Sequence, residues 1–262
     1  MIMIMQQSIQ IIPIPAFKDN YIWLIHNGVD AIIVDPGDAT PVLEMLSRLK
    51  LSLHTILITH HHHDHIGGVS RLIESHPNTK VYAPKLEKYH FEHTALIGSD
   101  VIELSKFNLV FEIIDLPGHT LGHIAYYSQN TDHKLLFCGD TLFGAGCGRL
   151  FEGTPAQMFS SLQKLAGLPS NTKVYCTHEY TMHNINFALT LEPNNQALIE
   201  RYNETLMLRG LHLPTLPSSI TLELATNPFL RCTSPEIQAT VHLADATPVE
   251  VFSTIREMRN HY

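Results

Sequence analysis

Short apolar runs alternate with polar turns along the first 180 residues of the chain. The runs are four to six residues long, rich in β-branched and aromatic side chains, and mostly bounded by Gly, Pro, Asp or Asn, a pattern typical of strands. Leu, Met and Phe recur at helical spacing in two further segments, Thr40–Lys50 and Pro155–Ala166, where a Thr before a Pro marks the start of each helix. The predicted strands are Tyr21–Ile25, Ala31–Val34, Thr55–Ile58, Leu109–Ile114, Ile124–Tyr127, Leu135–Cys138 and Lys173–Cys176. Strands that alternate with helices predict layered sheets covered by helices.

The pattern changes after about residue 180. Asn184–Leu191, Pro193–Arg209 and Pro248–Asn260 have helical patterns, a Pro-rich stretch at residues 213–219 links them, and almost no strand signal remains. We therefore predict an α/β protein with two domains. Residues 1–180 would contain the sheets, and residues 181–262 would form a small α-helical domain.

The composition of the chain is that of an ordinary globular protein. Its 262 residues are 44% hydrophobic, enough to bury a core without disulfides. The four cysteines, Cys138, Cys147, Cys176 and Cys232, form no CxxC pair, which indicates reduced thiols in the cytoplasm. The apolar start of the chain lacks the basic region and long apolar region of a signal peptide. No apolar stretch approaches the roughly 18 residues that cross a bilayer, so we expect no membrane partner.

The net charge of the chain disfavours nucleic-acid binding, and its histidine content suggests a metal site. The formal net charge is −8, with 17 Lys and Arg residues, whereas nucleic-acid binding usually needs a concentrated basic face. We therefore expect no nucleic-acid partner. The 18 histidines are many for this length, and imidazole is the commonest metal ligand in proteins. Their placement decides whether they form a metal site.

Five of these histidines and an aspartate form a compact motif directly after the predicted strand Thr55–Ile58. The motif is Thr-His-His-His-His-Asp-His at residues 59–65, followed by Ile-Gly-Gly. Side chains at i and i+2 of an extended segment point the same way, so His60 and His62 can converge on one cation while His61 and His63 face away. Asp64 and His65 come where the chain turns into a helix that begins near Gly67, and they can bind a second cation. Imidazole nitrogen and carboxylate oxygen are ligands that suit zinc or iron.

Further candidate ligands follow three other predicted strands. His119 lies in Pro-Gly-His-Thr after the strand that ends at Ile114, and Asp140 lies in Gly-Asp-Thr after Cys138. His178 lies in Thr-His-Glu after Cys176. A single histidine at a strand end is more often structural. Seven potential ligands in four such loops indicate a metal centre.

The order of these motifs resembles the metallo-β-lactamase superfamily over residues 1 to about 180. Finer features resemble its glyoxalase II (hydroxyacylglutathione hydrolase) family: Gly-Cys-Gly-Arg-Leu-Phe-Glu-Gly at residues 146–153, His-Glu-Tyr-Thr at 178–181 and Asn-Pro-Phe-Leu-Arg at 227–231. The resemblance then spans nearly the whole chain. It implies an αββα metallo-β-lactamase sandwich with the metal site at one edge, followed by a small α-helical C-terminal domain.

The resemblance also implies a role for each candidate residue. His60, His62 and His119 would hold one divalent metal, and Asp64, His65 and His178 the other. Asp140 would bridge the two, and Asp64 and Asp140 are the expected catalytic carboxylates. The metals would be zinc, with iron or manganese as alternatives because nitrogen and oxygen ligands accept all three.

The implied reaction is hydrolysis of S-(2-hydroxyacyl)glutathione thioesters by a hydroxide shared between the metals. In this family S-D-lactoylglutathione gives D-lactate and glutathione, the second step of methylglyoxal detoxification. Arg149, Tyr180 and Arg231 would contact the tripeptide. Some members have Tyr where this chain has Phe151, which has no hydroxyl to donate. We expect the partner of this protein to be this small-molecule substrate, and we expect the protein to be a monomer. We expect no nucleophilic role for Cys138 or Cys147.

Other functions fit parts of the pattern. Within the superfamily, a lactonase, a β-lactamase or a glutathione persulfide dioxygenase with a single iron shares much of the motif. The C-terminal helices and the sequence at residues 178–181 favour glyoxalase II over these. A metal-binding or redox-sensing module without turnover would have an incomplete second set of ligands, whereas all seven positions are filled here.

Overall fold

The computed structural model describes residues 9–129 and 134–262. The apolar start of the chain, which the signal-peptide argument concerned, lies mostly in residues 1–8, outside the described residues. The strands are β1 (Gln10–Ala16), β2 (Asn20–His26), β3 (Asp30–Val34), β4 (Ser52–Leu57), β5 (Lys80–Pro84), β6 (Thr94–Leu96), β7 (Val101–Leu104), β8 (Leu109–Asp115), β9 (Ile124–Ser128), β10 (Leu135–Gly139), β11 (Leu142–Phe143), β12 (Gly146–Cys147), β13 (Lys173–Cys176) and β14 (Ser218–Ser219). The helices are α1 (Ala39–Leu49), α2 (His63–Ile66), α3 (Val69–Ser75), α4 (Pro155–Ala166), α5 (Thr181–Leu191), α6 (Gln196–Gly210), α7 (Ile220–Thr226), α8 (Pro235–Thr240) and α9 (Pro248–His261), with 3-10 turns at Ser105–Phe107 and Pro228–Leu230.

The strands form two six-stranded sheets and a small hairpin. The first sheet has the order β1-β2-β3-β4-β5-β6 and the second β14-β13-β10-β9-β8-β7, while β11 pairs with β12. The first sheet is antiparallel from β1 to β3 and parallel from β3 to β6. All seven predicted strands are present, with ends that shift by up to three residues.

The two faces of strand β2 show how the layers pack. Tyr21, Trp23 and Ile25 join the core cluster that contains the second sheet and helices α4 and α9. Ile22 and Leu24 point the opposite way, into a separate cluster with α1 and α3. A strand buried on both faces needs apolar residues at every position, which explains the unbroken run in β2. The predicted layered sheets with covering helices are therefore confirmed.

Residues 181–262 are mostly helical, but they also supply one strand. Ser218 and Ser219 form β14, which pairs antiparallel with β13 at the edge of the second sheet. A two-residue strand is too short to produce a recognisable alternation, so the sequence pattern did not predict it. The helical part is thus joined directly to the sheet that carries His178.

Four helix starts differ from the predicted ones: α5 begins three residues earlier and α6 three residues later than predicted, and α1 and α2 also differ. The N-cap of α1 is Asp38, whose side chain accepts a hydrogen bond from Thr40 N at 2.8 Å, so Thr40 lies inside the helix. Helix α2 begins at His63, four residues before the predicted start near Gly67. Asp64 and His65 therefore sit on a single helical turn.

Helix α4 begins as predicted, with Thr154 as its N-cap. The Thr154 hydroxyl accepts from Gln157 N at 3.3 Å, and the Gln157 side chain accepts from Thr154 N at 2.9 Å. We expect Thr154→Ala to lower the free energy of unfolding by about 1 kcal/mol, because it removes one half of this capping box. Urea denaturation measures the change. Thr154→Ser keeps the hydroxyl and should change far less, so equal losses in the two variants would contradict the capping role.

Candidate metal centre

Four loops bring the predicted ligands together at one edge of the sandwich. One loop follows β4 of the first sheet, and the other three follow β8, β10 and β13 of the second sheet. Three groups result, and within each group one ligand atom per residue lies within 4.8 Å of the others. The groups are His60, His62 and His119; Asp64, His65 and His178; and His60, His65 and Asp140.

The first group is a set of three imidazoles that face a common point. His62 Nδ1 lies 3.0 Å from His60 Nε2 and 3.0 Å from His119 Nε2. Burial lowers the pKa of His60 well below its usual value and that of His62 to about 4, so both rings are neutral at pH 7. Neutral rings present lone pairs, and metal binding requires deprotonated ligands. This donor set fits a cation.

Asp140 connects the first group to the second. Its Oδ1 lies 3.4 Å from His65 Nε2, and its Oδ2 lies 3.3 Å from His178 Nε2 and 3.4 Å from His119 Nε2. Asp140 Oδ1 and His65 Nε2 are buried without a hydrogen-bond partner in the described residues. Buried polar atoms without partners are costly. A cation between the two groups would satisfy both.

The electrostatics of the second group favour positive charge. Burial alone would raise the pKa of Asp140, but the imidazoles of His178 and His65 hold it well below its usual range. Burial would lower the pKa of His178, whereas the Asp140 carboxylate raises it to about 9. The carboxylate thus keeps a proton on the opposing ring. A divalent cation would take the place of that proton.

The outer nitrogens of three histidines are held by acceptors. His65 Nδ1 donates to Asp35 Oδ2 at 3.0 Å, His119 Nδ1 to the Arg149 carbonyl at 2.7 Å, and His178 Nδ1 to Asp19 Oδ1 at 2.9 Å. Each bond fixes the proton on Nδ1, so that Nε2 turns its lone pair toward the cluster. Sequence reasoning missed Asp19 and Asp35, because a single acid in a turn has no distinctive spacing relative to the histidine motif.

His61 and His63 lie outside these three groups of the described residues. His61 Nδ1 is 3.2 Å from Glu87 and its Nε2 is 3.6 Å from Glu152, while the exposed His63 opens α2. His123, which the sequence reasoning did not single out, stacks on the His60 ring at 4.8 Å. Its Nε2 accepts from the Asp140 backbone N at 3.1 Å. His123 therefore contacts two residues of the cluster, His60 and Asp140, without belonging to any of the three ligand groups.

A cavity of about 410 Å³ opens beside His119 and Asp140. Its lining includes three predicted substrate residues, Arg149, Phe151 and Tyr180. The rest of the lining is Phe143, Cys147, His183, Asn184, Arg256 and Arg259. Phe151 is 61% exposed, and its ring lies edge-on to the rings of His62 and His119. The Tyr180 ring stacks on His178 at 4.6 Å, so the cavity adjoins the ligand cluster directly.

Comparison with known proteins places the chain in a family. Residues 17–178 match the metallo-beta-lactamase superfamily, and residues 179–262 match the hydroxyacylglutathione hydrolase C-terminus. The chain is 56% identical to the hydroxyacylglutathione hydrolase of Methylobacillus flagellatus over 97% of this chain and 99% of that one. It is 51% identical to the hydroxyacylglutathione hydrolase of Pseudomonas aeruginosa over 97% of this chain and all of that one. The chain belongs to the hydroxyacylglutathione hydrolase family.

Solved structures show the same fold. ETHE1 from Myxococcus xanthus has a TM-score of 0.64 at 23% identity, over 95% of this chain and 89% of that one. The BLEG-1 B3 metallo-beta-lactamase has a TM-score of 0.62 at 22% identity, over 85% and 99%. TTHA1623, solved in a di-iron-bound form, has a TM-score of 0.60 at 25% identity, over 84% and 100%. The predicted metallo-β-lactamase fold of this hydroxyacylglutathione hydrolase family member is confirmed.

One of the residues predicted to bind substrate lies elsewhere. Arg231 does not line the cavity; its Nε and Nη2 donate to both carboxylate oxygens of the buried Glu192, at 2.8 and 2.9 Å. This pairing raises the pKa of Arg231 and leaves its guanidinium engaged within the protein. Asn227, at the start of the Asn-Pro-Phe-Leu-Arg run, also makes contacts within the protein. Asn227 donates to the Phe143 and Gly146 carbonyls of the hairpin that borders the cavity.

Two arginines of α9, Arg256 and Arg259, line the cavity instead. Arg256 Nη1 donates to the Cys147 carbonyl at 2.9 Å, and Arg259 donates to Asn184 Oδ1 at 3.0 and 3.3 Å. They lie three residues apart, on one face of a helix. A basic pair at this spacing was a sequence signal, but nothing in the sequence placed α9 beside β12.

None of the helices among residues 9–129 and 134–262 is long and apolar enough to cross a membrane. The four cysteines are free and buried, as expected for reduced thiols. Burial raises the thiol pKa of Cys138 and Cys147, which disfavours the thiolate that a nucleophile requires.

Proposed function

We propose that this protein hydrolyses S-(2-hydroxyacyl)glutathione thioesters, converting S-D-lactoylglutathione and water to D-lactate and glutathione. The observation that carries the proposal is the pair of ligand groups joined by Asp140 and adjoined by a cavity with three arginines. The names of the relatives support the same activity.

The two groups would hold two divalent metal ions. His60, His62 and His119 would bind one and Asp64, His65 and His178 the other, with Asp140 shared because its oxygens face both groups. Such a pair of ions lowers the pKa of a bound water to about 7 and polarises a carbonyl oxygen. We propose zinc, and iron or manganese would suit the same nitrogen and oxygen donors. The di-iron form of TTHA1623 is consistent with two metals in this fold.

The cavity would bind the glutathione part of the substrate. Glutathione carries two carboxylates, and Arg149, Arg256 and Arg259 concentrate positive charge in a chain whose formal net charge is −8. A guanidinium can pair with a carboxylate through two parallel hydrogen bonds. The Tyr180 hydroxyl would add a neutral donor, and Phe151 would cover the site with an apolar ring. The thioester would then lie at the end of the cavity nearest Asp140.

The proposal also covers the compartment, the oligomeric state and the domain division of the protein. We propose that the protein acts in the cytoplasm as a monomer on this small molecule, divided into a metal-binding domain to residue 180 and a substrate-binding domain from residue 181. Four buried free thiols suit a reducing compartment.

We expect two metal ions per chain in the fully active protein, because the seven ligands form two sets. Elemental analysis and hydrolysis of S-D-lactoylglutathione should be measured on the same sample. Removing the metals with a chelator should abolish hydrolysis, and adding zinc should restore it. One iron per chain, with oxygen consumption on glutathione persulfide and no thioester hydrolysis, would instead establish the dioxygenase.

A further inference from the structure

Asp19–Tyr21, the last residue of the turn after β1 and the first two residues of β2, lie against the loop that carries His178. Asn20 and His178 form an isolated antiparallel bridge. Tyr21 N donates to the Thr177 carbonyl at 2.6 Å, and Glu179 N donates to the Asp19 carbonyl at 2.8 Å. Backbone hydrogen bonds therefore fix Asp19–Tyr21, from the first sheet, alongside Thr177–Glu179, from the second.

Two consecutive side chains of this segment contact the second ligand group. Asp19 Oδ1 accepts from His178 Nδ1 at 2.9 Å. The Asn20 amide donates to Asp64 Oδ2 at 3.0 Å, and this oxygen lies 3.5 Å from His178 Nε2 and 3.6 Å from His65 Nε2. Asn20 is 5% exposed, so water does not compete freely for its amide. No hydrogen bond among the described residues links either side chain to His60, His62 or His119.

We propose that Asp19 and Asn20 are positioning residues for the metal that Asp64, His65 and His178 would hold, a role that rests on the proposed function. Asp19 keeps the His178 proton on Nδ1, which leaves the Nε2 lone pair for the metal. Asn20 occupies one lone pair of Asp64 Oδ2 and so fixes the direction of the others. Two ligands of the second site, Asp64 and His178, are thus oriented by hydrogen bonds to Asn20 and Asp19.

A purely structural role for the segment is separable from this one. The bonds that dock it on residues 177–179 run between backbone atoms, so truncating the Asp19 or Asn20 side chain leaves them in place. Loss of metal affinity in a folded variant would therefore report on the side chains themselves.

The test is zinc binding to metal-free protein, measured in competition with a chromophoric chelator. The parent should bind two zinc ions. In Asp19→Ala and Asn20→Ala, one of the two ions should bind about 10- to 100-fold more weakly while the other keeps the parent affinity. Asp19→Asn keeps an oxygen acceptor for His178 and should lose less affinity than Asp19→Ala. Lys18→Ala, an exposed neighbour in the same turn, is the matched control and should bind zinc like the parent.

Kinetics give a second measure of the same effect. At limiting zinc the Asn20→Ala variant should show a lower kcat with an unchanged KM, and excess zinc should restore kcat. Circular dichroism checks that each variant is folded, and if Asp19→Ala does not fold, Asp19→Asn and Asn20→Ala decide. Parent affinity for both ions in folded variants would overturn the inference, as would equal weakening of both ions. Fewer than two zinc ions in the parent would instead contradict the proposed function.

Discussion

Asp140→Ala should lower kcat for S-D-lactoylglutathione by about three orders of magnitude or more. The carboxylate is the proposed shared ligand of the two groups, and its loss removes the two oxygens that lie 3.3–3.4 Å from His65, His119 and His178. Neither ion could then be held in the geometry that generates hydroxide at neutral pH. Steady-state kinetics with metal analysis of the same sample measure the effect.

Neighbouring histidines provide the control for this prediction. His62→Ala removes a nitrogen 3.0 Å from two other ligands and should be as damaging as Asp140→Ala. His61→Ala removes a ring that lies between Glu87 and Glu152, so kcat should change little. If His61→Ala were as damaging as His62→Ala, the assignment of ligands within the motif would be wrong.

Arg259→Ala should raise KM by about ten- to a hundredfold with kcat nearly unchanged. A charge-assisted hydrogen bond contributes about 1.5–3 kcal/mol, and a contact made equally in substrate and transition state appears in KM alone. Arg259 is half-buried and its partner is the Asn184 side chain, so its removal should be tolerated by the fold. Kinetics at low and high salt test the origin of the effect, because screening should weaken binding more in the parent than in the variant.

Arg231→Ala is the matched control for Arg259→Ala, since it removes the same charge from the same helical region. It leaves the buried carboxylate of Glu192 without its guanidinium partner, so it should lower Tm while KM stays near the parent value. A large rise in KM for Arg231→Ala, with none for Arg259→Ala, would show that the cavity lined by α9 does not bind glutathione.

The ligand cluster could be predicted from the sequence because strand ends can be recognised locally, and the ends of parallel strands in one sheet lie at the same edge. His119, Asp140 and His178 each follow an apolar strand, and paired strands bring such positions to one edge. The single helical turn that carries Asp64 and His65 was not predicted, because a helix of four residues leaves no periodicity. The sequence pattern therefore predicted which residues are ligands, but not the local backbone conformation that orients their side chains.

The substrate side of the site depends on contacts that no local pattern encodes. Arg256 reaches the cavity because α9 packs against the hairpin and donates to the Cys147 carbonyl, more than one hundred residues earlier in the chain. Asp19 and Asp35 act on histidines 159 and 30 residues away. Such pairings depend on how the sheets and the C-terminal helices pack, so the sequence pattern did not indicate that Arg256 and Arg259 line the cavity.

The two-residue strand β14 has a consequence for any attempt to isolate the metal-binding part. Ser218 and Ser219 cover the free edge of β13, the strand that leads to His178. A fragment ending at residue 180 would expose the unpaired amide and carbonyl groups of that edge, and exposed edges recruit strands from other molecules. Such a truncated fragment should therefore self-associate instead of remaining an independent unit. In the whole chain, residues 181–262 protect the protein from aggregation because they contain β14, which covers this edge.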